Sequence, residues 1–478
     1  MGRAVEVSQQ EQWLVAQPSV GTPTRPRGAL PARLPLIAAA LLAPLLAWLA
    51  ATVPVLAVGL VAGVAYAWLA FVSRTTALAL LIAASLCEGV PAVNLAVKVG
   101  ALVVTASWFV DLFAAGERER PRLLTTPTDY LMLAFLAWIT LSLLWAVDVS
   151  AAAGDLWRWW SLALLFFICK DEVARRGAGT TLLAALYWGA VASVLIGALL
   201  PGIVPILDRG AFVEGRLRGG IGDPNFTAAF TLMGLALAGV LIARQRNPVL
   251  KLCYALGVPI LAFGLVATQS RGGLIGAAVV AVVAFLVLKE QRARLLTVVA
   301  LCLSVMALYL VSVPSGWERL TRTDDGGNGR SSLWTVAWRV AEDHPLLGVG
   351  LNNFPAVAAD YTRAPGQLTF VNLIVDSPHF VHNTYLQVLA ELGVVGFALF
   401  IAFVGSALLR LRRRLIAARA QRDRRAVADL SAVSIALVGL LATFTFVSGA
   451  LDKRLWVLLA LATVLPVSAD DKVGERRD

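Results

Sequence analysis

Charge is scarce in this sequence: Asp, Glu, Lys and Arg supply only 15% of its 478 residues, while 59% are hydrophobic. Water-soluble domains carry about 25% charged residues, so this composition excludes an ordinary soluble enzyme and marks an all-α polytopic membrane protein. Cysteine is nearly absent. Cys87, Cys169, Cys253 and Cys302 fall in or beside apolar runs, which excludes an external disulfide framework and a thiolate metal cluster. No Asp-x-Asp occurs, and Asp324/Asp325 form the single weak carboxylate pair in a candidate external segment, so neither a metal nor a cofactor is expected. Histidine is the rarest of the reactive side chains, limited to His344, His379 and His382. Residues 1–33 lack an early apolar segment with a cleavage site and carry Pro18, Pro23, Pro26 and Pro31; a disordered cytoplasmic tail is expected there, and no signal peptide.

What the chain has in abundance is apolar runs. A span needs about 20 apolar residues to cross roughly 30 Å of hydrocarbon. Candidate spans fall near 34–50, 52–72, 75–93, 95–115, 128–147, 159–170, 180–200, 224–243, 252–268, 273–288, 295–313, 383–409, 430–448 and 455–467. The fold expected is therefore 12–14 transmembrane helices: a block over 34–313, one large external loop over 314–382, a second block over 383–468 and a tail over 469–478.

Lys and Arg stay on the cytoplasmic side of short loops. With the amino terminus inside, the cytoplasmic connections carry Arg74, Arg118/Arg120/Arg122, Lys170/Arg175/Arg176, Arg244/Arg246/Lys251, Lys289/Arg292/Arg294, the run from Arg410 to Arg425, and Lys472/Arg476/Arg477. These hold most of the 41 basic residues, so both termini are expected in the cytoplasm of a multi-pass inner-membrane protein. The net charge of +11 is then a topology signal and not a nucleic-acid footprint. The run at 410–425 suits a solvated helix end touching anionic membrane lipid. Glu88 and Lys98 flank one external turn and are expected to form an ion pair.

Three external stretches break the pattern. Gly215 to Asn225, GRLRGGIGDPN, puts Arg216 and Arg218 where the charge bias disfavours them; its glycines let backbone approach a ligand, and Pro224 with Asn225 reads as a helix start with N–H groups facing an anion. Ser270-Arg271-Gly272-Gly273 repeats that chemistry at a second helix entrance. The third is the external stretch from Pro314 to Val381, which runs into His379 to Gly396, HFVHNTYLQVLAELGVVG, with two histidines before an apolar helix that Asn383 or Thr384 would cap. Within this segment, 331–343 reads as a helix capped by Ser331 or Ser332, with Trp334, Ala337, Trp338 and Ala341 on one face. Asn383, Gln387 and Glu391 form a polar stripe at i, i+4, i+8. Glu391 lies roughly 13 Å along the helix from His382, too far for contact, and is assigned to packing, with Gly393 and Gly396 admitting a close neighbour.

Taken in order, Arg216-x-x-Gly219 into Asp223-Pro224-Asn225, Ser270-Arg271-Gly272, Arg330-x-x-x-Trp334 leading to His344-Pro345-Leu346-x-Gly348-x-Gly350, and His382-Asn383-Thr384-Tyr385-Leu386-Gln387 with Glu391-Leu392-Gly393 resemble the O-antigen ligase and O-antigen polymerase superfamily over roughly residues 125–468. The resemblance implies a glycosyltransferase that takes a whole glycan from undecaprenyl diphosphate on the external face and passes it, without metal, to a glycan, lipid or protein hydroxyl. It implies diphosphate binding by Arg216 and Arg271 and a general base at His382, with His379 as the alternative base. Arg218 stands where the family often has a small residue, so its role as a third diphosphate ligand stays open. Asn225, Asn383 and Gln387 are the supporting residues. Ligase, surface-polysaccharide polymerase and protein O-oligosaccharyltransferase differ in acceptor only, and the ligase type is favoured. A transporter or flippase of lipid-linked sugars is the rival from another class; it calls for a polar midplane site and broken helices.

Overall fold

The computed structural model describes residues 54–114, 123–200, 212–213, 215–314, 316, 329–363, 368, 371–375 and 380–466. Contacts divide the chain into 1–64 and 65–478; of the first unit, the described part is the start of helix α1 (Pro54–Val72). The second unit holds α2 (Arg74–Ser85), α3 (Pro91–Ala114), α4 (Pro127–Leu141), α5 (Val149–Arg176), α6 (Gly179–Leu199), α7 (Pro224–Arg244), α8 (Pro248–Ala267), α9 (Arg271–Val287) and α10 (Arg292–Ser312). A two-stranded hairpin, β1 (Phe212–Val213) and β2 (Arg216–Leu217), lies between α6 and α7. Then come α11 (Arg330–Asp343), the short α12 (Phe354–Val357) and α13 (Val371–Val375), and finally α14 (Thr384–Ala420), α15 (Arg424–Thr443) and α16 (Lys453–Val464).

The all-α polytopic architecture agrees with composition. Among the described residues, 8 helices are long and apolar enough to cross a membrane, fewer than the 12–14 expected. Part of the difference is local. The stretch 34–50 lies outside the described residues, and 159–170 is the middle of α5, whose carboxyl end carries Lys170, Asp171, Glu172, Arg175 and Arg176. The apolar α2 and α9 have 12 and 17 residues, and α16, with 12, is buried almost throughout. Starts are set by local chemistry: Pro at the first turn of α4, α7 and α8, where its missing N–H costs nothing, and side-chain caps from Asp148, Asn247, Asp423 and Asp452.

Charges separate to the two helix ends. Arg74 pairs with Glu172 at 2.7 Å and Asp111 at 2.8 Å, Arg176 with Asp111 at 2.9 Å, and Lys170 with Asp129 at 2.5 Å. Arg244 pairs with Asp429. The residues gathered here are those the charge bias groups on one side. At the opposite ends, Asp452 holds Arg454 at 2.6 Å, and Glu88 pairs with Lys453, not with Lys98 as expected; Lys98 sits on an exposed face of α3. Sequence neighbours across a turn compete with partners from distant helices, and here the α16 entrance delivers an ammonium to Glu88.

Helix α14 is interrupted. Gly393 adopts φ 66°, ψ −174°, outside the range of L residues, and the carbonyls released by the break find donors elsewhere. Ala390 and Glu391 accept from the backbone N–H of Val349 and Gly350 at 3.1 and 2.8 Å, and Leu392 accepts from Trp138 Nε1 at 3.0 Å. The break is thus filled by protein backbone from the His344–Gly350 stretch, which satisfies the carbonyls it frees. Glu391 is buried and accepts from Asn352 N at 3.0 Å and Gln387 Nε2 at 3.1 Å, so it fastens that stretch to the helix, the packing role expected of it. A β-carbon at Gly393 would lie 2.2 Å from the Leu346 carbonyl oxygen. Gly393→Ala is therefore expected to cost at least ~2 kcal/mol from left-handed backbone strain and overpacking, seen as a lowered thermal midpoint in detergent; an unchanged midpoint would show that the break is not required.

The long loop packs differently from expectation. Its helix α11 starts at Arg330 behind Gly329 (φ 78°), without a serine cap. Leu333, Val336, Ala337 and Val340 face inward on Val349, Phe354, Ile374, Val381 and Ala390, whereas Trp338 is 52% exposed. Leu333, Val336 and Val340 make a continuous aliphatic face at the same helical spacing, and burying it leaves the larger indole outside to donate to Glu342 at 2.6 Å.

Candidate functional site

The arginine loop is built from its glycines upward. Gly215 (φ 75°) ends the hairpin turn so that Val213 pairs with Arg216. Gly219 (φ 62°) then passes so close to α6 that a β-carbon on Gly197 would lie 2.6 Å from its Cα. Ser193 receives the Gly220 N–H on its carbonyl at 2.7 Å, and Gly89 abuts the 220–222 backbone. None of Gly89, Ser193 and Gly197 stands out as a site residue in sequence. The usable signal is the occurrence of small residues opposite a glycine-rich loop.

Within this frame Arg216 donates Nε to the Thr268 carbonyl at 2.9 Å and Nη2 to Asn225 Oδ1 at 3.1 Å. The same Asn225 oxygen accepts from Ser270 Oγ at 2.9 Å, so two motifs far apart in sequence share one acceptor. Arg216, Asn225 and the Ser270-Arg271 entrance of α9 are brought together. Arg218 is half-buried and its Nε finds no hydrogen-bond partner among the described residues; an N–H of this kind is costly unless something accepts from it.

The helix N-termini turn out not to be open. Asp223 Oδ1 accepts the Asn225 and Phe226 N–H groups at 2.7 and 2.9 Å, Ser270 Oγ accepts Gly273 N–H at 3.1 Å, and Asn383 Oδ1 accepts Tyr385 and Leu386 N–H at 3.0 and 3.1 Å. At the first two of these helix starts the cap takes up donors that the GRLRGGIGDPN and Ser270-Arg271 stretches were expected to offer to an anion. Any anion site here rests on guanidinium groups.

His382 and Arg271 are braced by the same turn between α15 and α16. His382 N–H donates to Ser448 Oγ at 3.1 Å. Thr384 is tied to that turn three times: its N–H to the Phe444 carbonyl at 2.9 Å, its hydroxyl to the Val447 carbonyl at 2.7 Å, and its Oγ1 accepting Gly449 N–H at 2.8 Å. On the other side, Gly272 meets the Phe446 side chain, where a β-carbon would be only 2.7 Å away. The Trp334 ring lies 6.1 Å from that of Phe446. The turn carries no reactive residue, and its role is invisible in sequence.

Backbone strain coincides with these stretches. Among the described residues four non-glycine residues have positive φ, and three of them, Gln269 (48°), Asn352 (55°) and His382 (52°), stand in or beside the motifs. Such conformations cost free energy and collect at functional sites. Arg216, Arg271 and His382 are all half-buried, held by packing yet reachable. Gln387 points to Glu391 and belongs to the helix break. His379, Asp324 and Asp325 lie outside the described residues. Among the described residues no group of three or more His, Cys, Asp or Glu side chains is placed to hold a metal ion.

Residues 256–401, which include Arg271, Trp334, the His344–Gly350 stretch and His382, match the family model described as O-Antigen ligase. This segment is thus similar to the O-antigen ligase family. A curated protein of Pseudomonas aeruginosa (strain PAO1) described as "O-antigen ligase" is 29% identical to it over 299 residues, 59% of this chain and 65% of that protein. The chain thus spans just under two thirds of that relative's length. Both matches support a likeness to the O-antigen ligase superfamily.

Proposed function

We propose that this chain is a membrane glycosyltransferase that moves a whole glycan from undecaprenyl diphosphate to an acceptor hydroxyl on the external face of the inner membrane. The observation that carries the reading is the shared bracing: Asn225 joins Arg216 to the Arg271 helix entrance, and the 444–449 turn buttresses both that entrance and His382.

The chemistry suits those groups. The imidazole of His382 accepts the acceptor O–H proton, and the freed oxygen lone pair forms a bond to the anomeric carbon. The bond from that carbon to the diphosphate oxygen breaks with its electrons, so a single displacement inverts the centre and releases undecaprenyl diphosphate. Guanidinium groups of Arg216 and Arg271, with the Arg218 Nε–H as a third donor, meet the charge growing on the diphosphate. With two or three arginines present, no metal is needed for that role. Acceptor choice follows the ligase type, as in the relative's description.

Purified protein given undecaprenyl-diphosphate-linked glycan and a glycan, glycolipid or peptide acceptor is expected to release undecaprenyl diphosphate at the same rate in EDTA as in Mg²⁺. Absence of release with every acceptor would sink the transferase reading. A rate that collapses in EDTA would remove the metal-free mechanism.

A further inference from the structure

The basic run from Arg410 has no part in the glycan-transfer site. Along α14 it begins 26 residues after Thr384, roughly 39 Å away at 1.5 Å per residue, more than the ~30 Å hydrocarbon thickness. Yet these arginines do not all simply fan into solvent. Arg410, Arg413 and Arg414 line a half-open pocket of about 540 Å³ that Pro127 and Thr128 at the start of α4 and Ser406 also line. Two of the three are fixed on one acceptor: Arg410 Nε donates to the Thr463 carbonyl at 2.9 Å and Arg414 Nη1 to the same carbonyl at 3.1 Å. Ser406 and Thr128 hydroxyls lie 2.9 Å apart, so neutral hydroxyls join the α14 face to the start of α4.

Among the described residues, no carboxylate belongs to this lining. The nearby Asp129 is already engaged, with Lys170 Nζ at 2.5 Å and the Thr125 and Thr126 N–H groups at 2.9 and 2.7 Å. Three guanidinium groups therefore line one pocket. A shallow surface groove of about 580 Å³ adjoins it through Pro127 and runs along α4 past Tyr130, Leu131 and Ala134. Its lining is mostly apolar, and Tyr130 is 57% exposed beside it. A positive pocket continuous with an apolar groove at a span's end matches an amphiphile whose head is a phosphate ester and whose tail is hydrocarbon.

We propose that this pocket and groove together are a binding site for an anionic phospholipid, its phosphodiester among Arg410, Arg413 and Arg414 and an acyl chain along Tyr130 to Ala134. The basic-residue bias assigns this end to the cytoplasmic leaflet. The site is independent of the transfer chemistry, and lipid held there joins α4 to α14.

The full-length protein in nanodiscs of phosphatidylcholine, with and without phosphatidylglycerol, provides the test, read by thermal midpoint and by lipid retained in native mass spectrometry. Phosphatidylglycerol is expected to raise the midpoint and to be retained. Arg413→Gln should weaken retention about fivefold and Arg410→Gln with Arg413→Gln on the order of 25-fold. Arg425→Gln, an equal loss of charge on an exposed residue outside the cavity, should leave retention unchanged. Leu131→Trp, which fills the groove and keeps every arginine, should also reduce it. Equal losses for Arg413→Gln and Arg425→Gln would mean diffuse attraction to a charged surface and overturn the site. Inorganic phosphate reproducing the full rise in midpoint would overturn the lipid assignment. Should the double variant fail to fold, Arg413→Gln and Leu131→Trp carry the same test.

Discussion

His382→Gly should fold as well as the wild type and release undecaprenyl diphosphate about 10²–10⁴-fold more slowly, the range lost when a general base is removed. The two halves of that result have separate causes. His382 holds φ 52°, which costs an L residue about 1–2 kcal/mol, and glycine removes that strain while costing ~0.5–1 kcal/mol in unfolded-chain entropy. The backbone bond from residue 382 to Ser448 survives the change. Stability is therefore expected to be unchanged or slightly higher, measured by thermal unfolding in detergent. Activity falls because no imidazole remains to accept the hydroxyl proton. His382→Asn tolerates the left-handed conformation with a polar side chain and cannot act as a base, so it should be as inactive. Turnover within threefold of wild type in both variants would remove His382 as base and shift the role to His379.

Arg216→Ala is expected to slow release by about 10²–10³-fold, the loss typical of one preorganised electrostatic donor, and to weaken donor binding. Arg216→Lys keeps the charge and loses the fork, so it should fall between. Arg216 also has a structural duty, since it holds Thr268 and Asn225. Asn225→Ala is the control: it releases Arg216 and Ser270 from their common acceptor without removing any positive charge. A purely structural arginine would make Arg216→Ala and Asn225→Ala alike in unfolding midpoint, donor affinity and turnover. Diphosphate binding predicts that Arg216→Ala loses far more donor affinity for a similar change in midpoint.

Several features were legible in sequence because they depend on a few neighbouring residues. The side-chain oxygens of Asp223, Ser270 and Asn383 can reach only the next helix turn, so their helix starts fell where expected. The glycines of GRLRGGIGDPN signalled close backbone approach, and Gly393 with Glu391 signalled packing at a helix contact. What those same caps did to the proposed anion sites was not legible: a side chain that starts a helix also consumes the N–H groups a ligand would need.

Composition alone determined that this is an all-α membrane protein, since 59% hydrophobic residues in long runs cannot be covered by water-soluble packing. The charge bias grouped Arg74, Lys170, Arg176 and Arg244, and motif order located the arginines and histidines. Only the tertiary structure decided that Glu88 pairs with Lys453, that Leu333 and Val336 face inward while Trp338 faces out, and that the 444–449 turn braces both Arg271 and His382. It alone joined Pro127 to Arg410 around one cavity. The physical reason is the same in each case. Burial and helix starts are written in local sequence, but a partner is chosen by which helices pack together, and that choice is a property of the whole bundle.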